Sequence, residues 1–158
     1  MLNKMIFCIS IVLIPFFGIS LANANDADPE IEKVMNGYEK AWSHHDAKAI
    51  ASFYHEPSMR VSKTGPTVRK TVKDQEIFFE GLLGDLVTKG YDHSDWETLN
   101  IHLMDTNTAI VSGVILRYRK DGSLMYRTAV SYGLWKSLDE WKIFWSATHA
   151  PEGVMQFK

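Results

Sequence analysis

Hydrophobic residues recur at helical spacing in the first half of this chain and at alternate positions in the second. Asp28-Pro29-Glu30 opens the first helical stretch with an N-cap acid, a proline at the first helical position and an acid in the first turn. Ile31, Val34, Met35, Tyr38, Trp42 and His45 then fall on one face at spacings of three and four. Asp46 caps a second, short helix over Ala47 to Tyr54, whose Ile50, Phe53 and Tyr54 lie together; Pro57 stops it. Met59 to Lys63 and Thr67 to Arg69 predict a small hairpin around Thr64-Gly65-Pro66. Thr71 with Asp74 makes a capping box for a third helix that ends at Gly90. Its apolar stripe is Phe78, Leu82 and Leu86, widened by Ile77, Phe79 and Leu83.

Beyond Gly90 the period changes to two. Trp96 to Met104 alternates with Leu99, Ile101 and Leu103 on one side, and Asp105-Thr106-Asn107 turns the chain. Thr108 to Lys120, the hairpin signal Asp121-Gly122, Leu124 to Lys136, a turn at Leu138-Asp139 and Trp141 to His149 complete a four-strand meander. Three helices followed by such a meander predict an α+β domain with helices on one face of a curved antiparallel sheet.

Turn lengths give the strands a register. A two-residue loop at Asp121-Gly122 pairs Lys120 with Ser123, so that Arg117 faces Tyr126, Ile115 faces Thr128 and Val111 faces Tyr132. An even loop at Leu138-Asp139 pairs Lys136 with Trp141, which sets Leu134 opposite Ile143, Tyr132 opposite Trp145 and Thr128 opposite His149. One face then carries the large apolar residues with a polar end at Arg117, Tyr126, Thr128 and His149, and should lie under the helices. The other face mixes small residues with Val114, Leu116, Trp135 and Phe144, more apolar surface than a solvated face needs, which suits a partner surface. An odd-length loop at either turn would exchange the faces of everything beyond it.

The opening segment changes the picture of where this domain works. Residues 1–24 have Lys4 in a short basic lead, an apolar run from Met5 to Leu21 and a small-x-small ending, Ala22-Asn23-Ala24. That is the pattern of a cleaved signal peptide, which predicts export to the periplasm or beyond and a single domain over residues 25–158. The apolar run is short for a membrane anchor and is interrupted by Pro15 and Gly18. The one cysteine, Cys8, lies inside it, so the folded part has no thiol for catalysis, metal binding or a disulfide. A net charge of −2 with no basic stripe gives nucleic acid no electrostatic footprint.

Candidate chemistry gathers at one end of the inner face. Arg117, Tyr126 and His149 could form an acid–base corner, a guanidinium for a carboxylate with a hydroxyl and an imidazole to share a proton. The same residues at strand ends could equally do no more than snorkel to solvent. Tyr38, Trp42, Tyr54, Phe78, Tyr132 and Trp145 could line an aromatic pocket or fill a plain core; Tyr132 opposite Trp145, each with a polar atom needing a partner, suits a ligand floor. His44-His45-Asp46 and His93-Ser94-Asp95 do not have the spacing of a metal site, since adjacent helical histidines diverge by about 100°. No phosphate loop, nucleotide-binding glycine pattern or nucleophile elbow is present, so no metal or cofactor is expected.

The order of elements, Phe53-Tyr54 before a short strand, and the run Tyr126-Arg127-Thr128-Ala129-Val130 through Trp135-Lys136 to Glu140-Trp141-Lys142-Ile143 resemble the nuclear-transport-factor-2-like superfamily. Within it, the chain resembles the SnoaL-like and ketosteroid-isomerase-like small proteins. The resemblance covers essentially all of residues 25–158. It implies a cone-shaped, cystatin-like barrel with a pocket between helices and sheet, and a homodimer through the open sheet face. Isomerase-type members place an acidic base on the strand after the second helix, where this chain has Ser58-Met59-Arg60-Val61-Ser62. Where many members end in histidine and serine, it has Trp145-Ser146-Ala147-Thr148-His149. The leading expectation is an exported protein that binds a small apolar or amphipathic molecule. The alternatives are an isomerase, cyclase or hydratase using His149 with Arg117 and Tyr126, and a pure association domain.

Overall fold

A computed structural model describes residues 28–157. The reading of residues 1–24 as a signal peptide lies outside the described residues; within them no helix is long and apolar enough to cross a membrane. Three helices, α1 (Pro29–Ser43), α2 (Ala47–Ser52) and α3 (Val72–Thr88), pack on one face of a curved sheet. The strands are β1 (Tyr54–Ser62), β2 (Gly65–Arg69), β3 (Tyr91–Leu103), β4 (Thr108–Arg119), β5 (Leu124–Ser137) and β6 (Glu140–His149).

The caps lie where the sequence puts them. The Asp28 carboxylate accepts from the Glu30 and Ile31 amides, Asp46 caps α2, and Thr71 with Asp74 forms a reciprocal capping box on α3. The core-facing side of α1 is Ile31, Met35, Tyr38, Ala41 and Trp42. In α3 the buried line is Gln75, Phe79, Leu83 and Leu86, one residue round from the expected stripe, and Ile77 is 56% exposed. A helix that is apolar over so wide an arc leaves its phase to the packing, and Phe79 rather than Phe78 turns inward.

The sheet is mixed and six-stranded, in the order β2-β1-β6-β5-β4-β3, where the sequence suggested a separate hairpin and an antiparallel meander. The chain leaves α2 at Phe53 and enters β1 directly at Tyr54, and β1 runs parallel to β6, with Arg60 opposite Ser146. Pro57 therefore lies within a strand instead of ending a helix.

Between β4 and β5 the expected inner rows hold, with Arg117 opposite Tyr126, Ile115 opposite Thr128 and Val111 opposite Tyr132. The turn itself differs: the Arg119 amide donates to the Ser123 carbonyl, and an irregularity beside Met125 restores the register. The second hairpin also starts as expected, through a two-residue turn at Leu138 and Asp139, both with positive φ, and Leu134 lies opposite Ile143. One step later the register slips, because Gly133 faces Trp145, leaving Phe144 as the extra residue of a bulge. Every side chain of β6 beyond the bulge changes face. Ser146 now lies opposite Tyr132 and Thr148 opposite Val130, while Trp145, Ala147 and His149 point to the outer face.

The physical reason is the fit at Gly133. A Cβ there would lie inside the Trp145 indole, so the bare glycine backbone is the floor on which that ring rests. Turned inward, Trp145 would compete with Tyr132 for the same space. The bulge instead sends in two small hydroxyl residues, and this leaves room beneath the helices.

The outer face is not left open along its length. The C-terminal segment after β6 makes one 3-10 turn, Pro151–Gly153, and folds back across it. The Met155 amide donates to Ser112 Oγ (3.0 Å), the Ser112 and Ser131 hydroxyls share a hydrogen bond (2.9 Å), and Ser131 Oγ lies 2.8 Å from His149 Nε2. His149 Nδ1 lies 2.9 Å from the Ala150 carbonyl, which can only accept, so the neutral ring carries its proton on Nδ1 and accepts from Ser131. Asn100 holds the Met155 carbonyl (2.9 Å), and Phe157 stacks on His102. Ser112 and Asn100 thus fasten the tail to the sheet, and His149 ends the polar chain that runs through Ser131 to Ser112.

Candidate functional site

The inner face of the sheet, read across β3, β4, β5 and β6, forms rows that grade from apolar to polar. Leu103, Ala109, Leu134 and Ile143 form the apolar end, where Ala109, Leu134 and Ile143 are fully buried and Leu103, on the edge strand, is exposed. Ile101, Val111, Tyr132 and Ser146 come next, followed by Leu99, Gly113, Val130 and Thr148. Trp96, Ile115 and Thr128 precede the last row, Ser94, Arg117 and Tyr126. Over the polar half, α1 contributes Tyr38, Glu39 and Trp42, α3 contributes Phe79, Leu82 and Leu86, and β1 contributes Tyr54 and Arg60. Together they enclose a cavity of about 120 Å³. Volumes of this order, about 150 Å³ in an engineered apolar cavity, hold one benzene ring.

The floor is aromatic and hydrogen-bonded. The Tyr38 and Tyr54 hydroxyls are 2.9 Å apart, and Tyr132 stands edge-on to Tyr38 (5.7 Å between ring centroids) and to Trp96 (6.5 Å). Burial pushes the Tyr38 phenol above its ordinary range and those of Tyr54 and Tyr132 well above it. An acid whose folded pKa is raised loses stability as pH climbs, because the unfolded phenol ionises first. The stability these three contribute is complete below about pH 10, the ordinary tyrosine value, and fades above it. Alkaline titration followed by ultraviolet difference absorbance should show Tyr38, Tyr54 and Tyr132 ionising only as the protein unfolds.

Arg117 dominates the other end. Its side chain is 7% exposed, and Nε and Nη1 are sealed from solvent with no hydrogen-bond acceptor. It makes no ion pair with any carboxylate of the described residues. What it has is aromatic: its guanidinium carbon lies 4.5 Å from the Trp42 ring centroid, 5.1 Å from Tyr91 and 5.9 Å from Tyr126. The Trp96 indole N–H, in the wall of the same cavity, is likewise buried without an acceptor.

Glu39 is the one carboxylate in the lining. The Ser94 amide donates to Ser43 Oγ (3.0 Å), and that hydroxyl donates to Glu39 Oε1 (2.6 Å). Partial burial raises its pKa, with Asp95 adding to the effect, while the Ser43 hydrogen bond, His93 and Lys40 oppose it. Its partner is thus Ser43, and Arg117 keeps its charge uncompensated. At the β1 side, Arg60 donates to Thr148 Oγ1 (3.2 Å), and Arg60 and Arg69 both lie against the Phe78 ring, at 5.1 and 3.6 Å.

Of the residues expected at the site, Tyr38, Trp42, Tyr54, Arg117, Tyr126 and Tyr132 come together around the cavity. Trp145 and His149 do not; the bulge at Phe144 turns both to the outer face, so the corner of His149, Arg117 and Tyr126 is not assembled. Phe78 stands outside the lining and its neighbour Phe79 takes its place, through the one-residue difference in helix phase. Glu39, Arg60, Trp96, Ser146 and Thr148 were not singled out from sequence. A signal existed for Glu39, four residues after Met35 and three before Trp42 on α1, and for Trp96, once β3 is registered against Ile115. His44 and His45 contact the backbone carbonyls of Lys40 and Asp92 at the end of α1.

Several solved structures share this fold. An NTF2-like protein of unknown function from Shewanella oneidensis superposes with a TM-score of 0.62 at 20% identity, over 76% of this chain and 96% of its own. An NTF2-like protein with a cystatin-like fold from Novosphingobium aromaticivorans gives 0.65 at 15% identity, over 79% and 82%. An NTF2-like protein of unknown function from Pseudomonas putida gives 0.64 at 15% identity, over 78% and 85%. At these identities the likeness shows the fold alone. No protein of curated function matches the sequence. Residues 28–151, from the cap of α1 to the start of the tail, match the family described as NTF2-like protein (DUF6841), and the chain belongs to that family.

Proposed function

We propose that this chain binds a small amphipathic molecule in the cavity between its helices and sheet. The observation that carries this reading is the cavity itself. Aromatic rings wall a space of one-ring size, and a bulge in β6 turns small side chains inward where large ones would have filled it. Trp42 and Trp96 line the space, so occupancy should be visible in tryptophan emission. A panel of single-ring compounds, polar and apolar, titrated against the protein should give at least one that shifts the emission and raises the melting temperature. A folded protein indifferent to the whole panel would overturn the reading. The catalytic alternative needed an imidazole beside Arg117 and Tyr126; with His149 on the opposite face, binding is the reading the site supports.

Two further parts of the proposal rest on other features. Export by residues 1–24 predicts that the protein recovered from the periplasm or medium begins at Asn25, which N-terminal sequencing reads directly. A homodimer would use the strip of outer face around Trp135, which is 37% exposed and packs edge-on against His55. Trp135→Glu should then convert the dimer to a monomer in sedimentation; a wild type that sediments as a monomer at every concentration sinks this part alone.

A further inference from the structure

We infer that the cavity's ligand is an anion, a single-ring aromatic carboxylate whose carboxylate is received by Arg117. This rests on the reading of the cavity as a binding site and adds to it the chemical class of the occupant. The starting point is an imbalance at the polar end. Arg117 is buried, carries a permanent charge, and has two nitrogens with neither solvent nor acceptor. Trp96 adds a third buried donor without an acceptor, in the same lining. Buried donors are nearly always satisfied, and these three, on two residues that line one cavity, have no acceptor.

The protein's own groups do not supply it. The rings of Trp42, Tyr91 and Tyr126 offer their faces to the guanidinium, which softens the burial of its charge without accepting a hydrogen bond. Glu39 lines the cavity too, but it makes no ion pair with Arg117 and is bound to Ser43. Nor is the charge hidden from the cavity. Arg117 is itself part of the cavity's lining, together with Tyr38 and Tyr132 of the aromatic floor. An anion entering this space meets a guanidinium already desolvated and held between rings, which is the arrangement that makes a charge-assisted hydrogen bond strong.

Size and shape narrow the class further. The cavity of about 120 Å³ admits one ring and a short substituent, and its walls present ring edges and faces from Tyr38, Trp42, Phe79, Trp96 and Tyr132. A planar ring with a directly attached or one-carbon-removed carboxylate satisfies both ends. A fused polycycle is too large for the space, and an aliphatic diacid would leave the aromatic end without a partner.

The test compares benzoate with benzyl alcohol, which has a similar shape and no charge, by calorimetric titration of the wild-type protein and of Arg117→Met. Benzoate should bind the wild type about tenfold or more tightly than benzyl alcohol, the margin expected when one charge-assisted hydrogen bond is gained. Arg117→Met, checked for an unchanged circular dichroism spectrum, should lose that preference while still taking the alcohol. Equal affinity of the wild type for the two probes overturns the anion and leaves the binding site standing. Binding of neither by folded wild-type protein overturns both, and no outcome depends on the variant alone.

Discussion

Replacing Tyr132 with alanine should lower stability by about 3–5 kcal/mol, the usual cost of deleting a buried aromatic ring, and drop the melting temperature by roughly 10–20 °C. Tyr132 is 2% exposed and stands at the middle of the inner face, between Val111 and Ser146. Its ring packs edge-on against Tyr38 and Trp96, so it props the floor of the cavity from below and from one side. Thermal and urea unfolding of the variant measure the loss. Tyr132→Phe separates the two roles of the residue: it keeps the ring and should cost only about 1 kcal/mol, the net worth of a hydroxyl's hydrogen bonding. A loss below about 1 kcal/mol for Tyr132→Ala would mean that the floor is not packed as described.

The second large effect is expected from a deletion. Removing Phe144 takes the extra residue out of β6 and restores simple alternation, so Trp145, Ala147 and His149 would point under the helices and Ser146 and Thr148 outward. Trp145 would leave its seat on Gly133 and meet Tyr132, and Ser131 would lose its bond to His149, which weakens the Ser131–Ser112 link behind the tail's anchor at Met155. Overpacking, a lost polar chain and an uncovered outer face together should cost on the order of 3–5 kcal/mol. Denaturant unfolding gives the total, and hydrogen exchange of the Met155 amide, held by Ser112, reports whether the tail has come away. Near-wild-type stability with the Met155 amide still protected would show that the bulge does not decide which face Trp145 and His149 take.

The same bulge marks where sequence reading succeeds and where it stops. Helix caps are local chemistry, and Asp28, Asp46, Thr71 and Asp74 cap the helices the sequence assigned to them. Turn residues set the pairing next to each hairpin, so Arg117 opposite Tyr126 and Leu134 opposite Ile143 were legible. A bulge in mid-strand leaves no such mark. Phe144 is an ordinary strand residue, and what fixes the slip is tertiary, the absence of a side chain at Gly133 beneath the indole of Trp145. Two of the expected site residues changed face for that one reason.

Other differences have equally specific causes. Phe78 and Phe79 both lie on the apolar arc of α3, so only contact with Trp42 and Tyr54 selects Phe79 as the inward ring. The parallel pairing of β1 with β6 joins segments from opposite ends of the domain, and no turn between them fixes a register. Glu39 and Trp96 became site residues only once α1 had been laid over β3. The polar end, by contrast, was visible in outline, because on their own strands Arg117 and Tyr126 lie four positions or more from any apolar inner residue except Ile115, two from Arg117.

The reading of the space under the helices as a built site, with Arg117 as its charged end, is open to one decisive test, a crystal structure of the protein grown with benzoate. The predicted result is a ring lying among Trp42, Trp96 and Tyr132 with its carboxylate within hydrogen-bonding distance of the Arg117 guanidinium, and Trp145 and His149 on the far side of the sheet. A structure in which Trp145 or His149 fills the space, or in which Arg117 has swung out to solvent and the cavity stays empty, would contradict it.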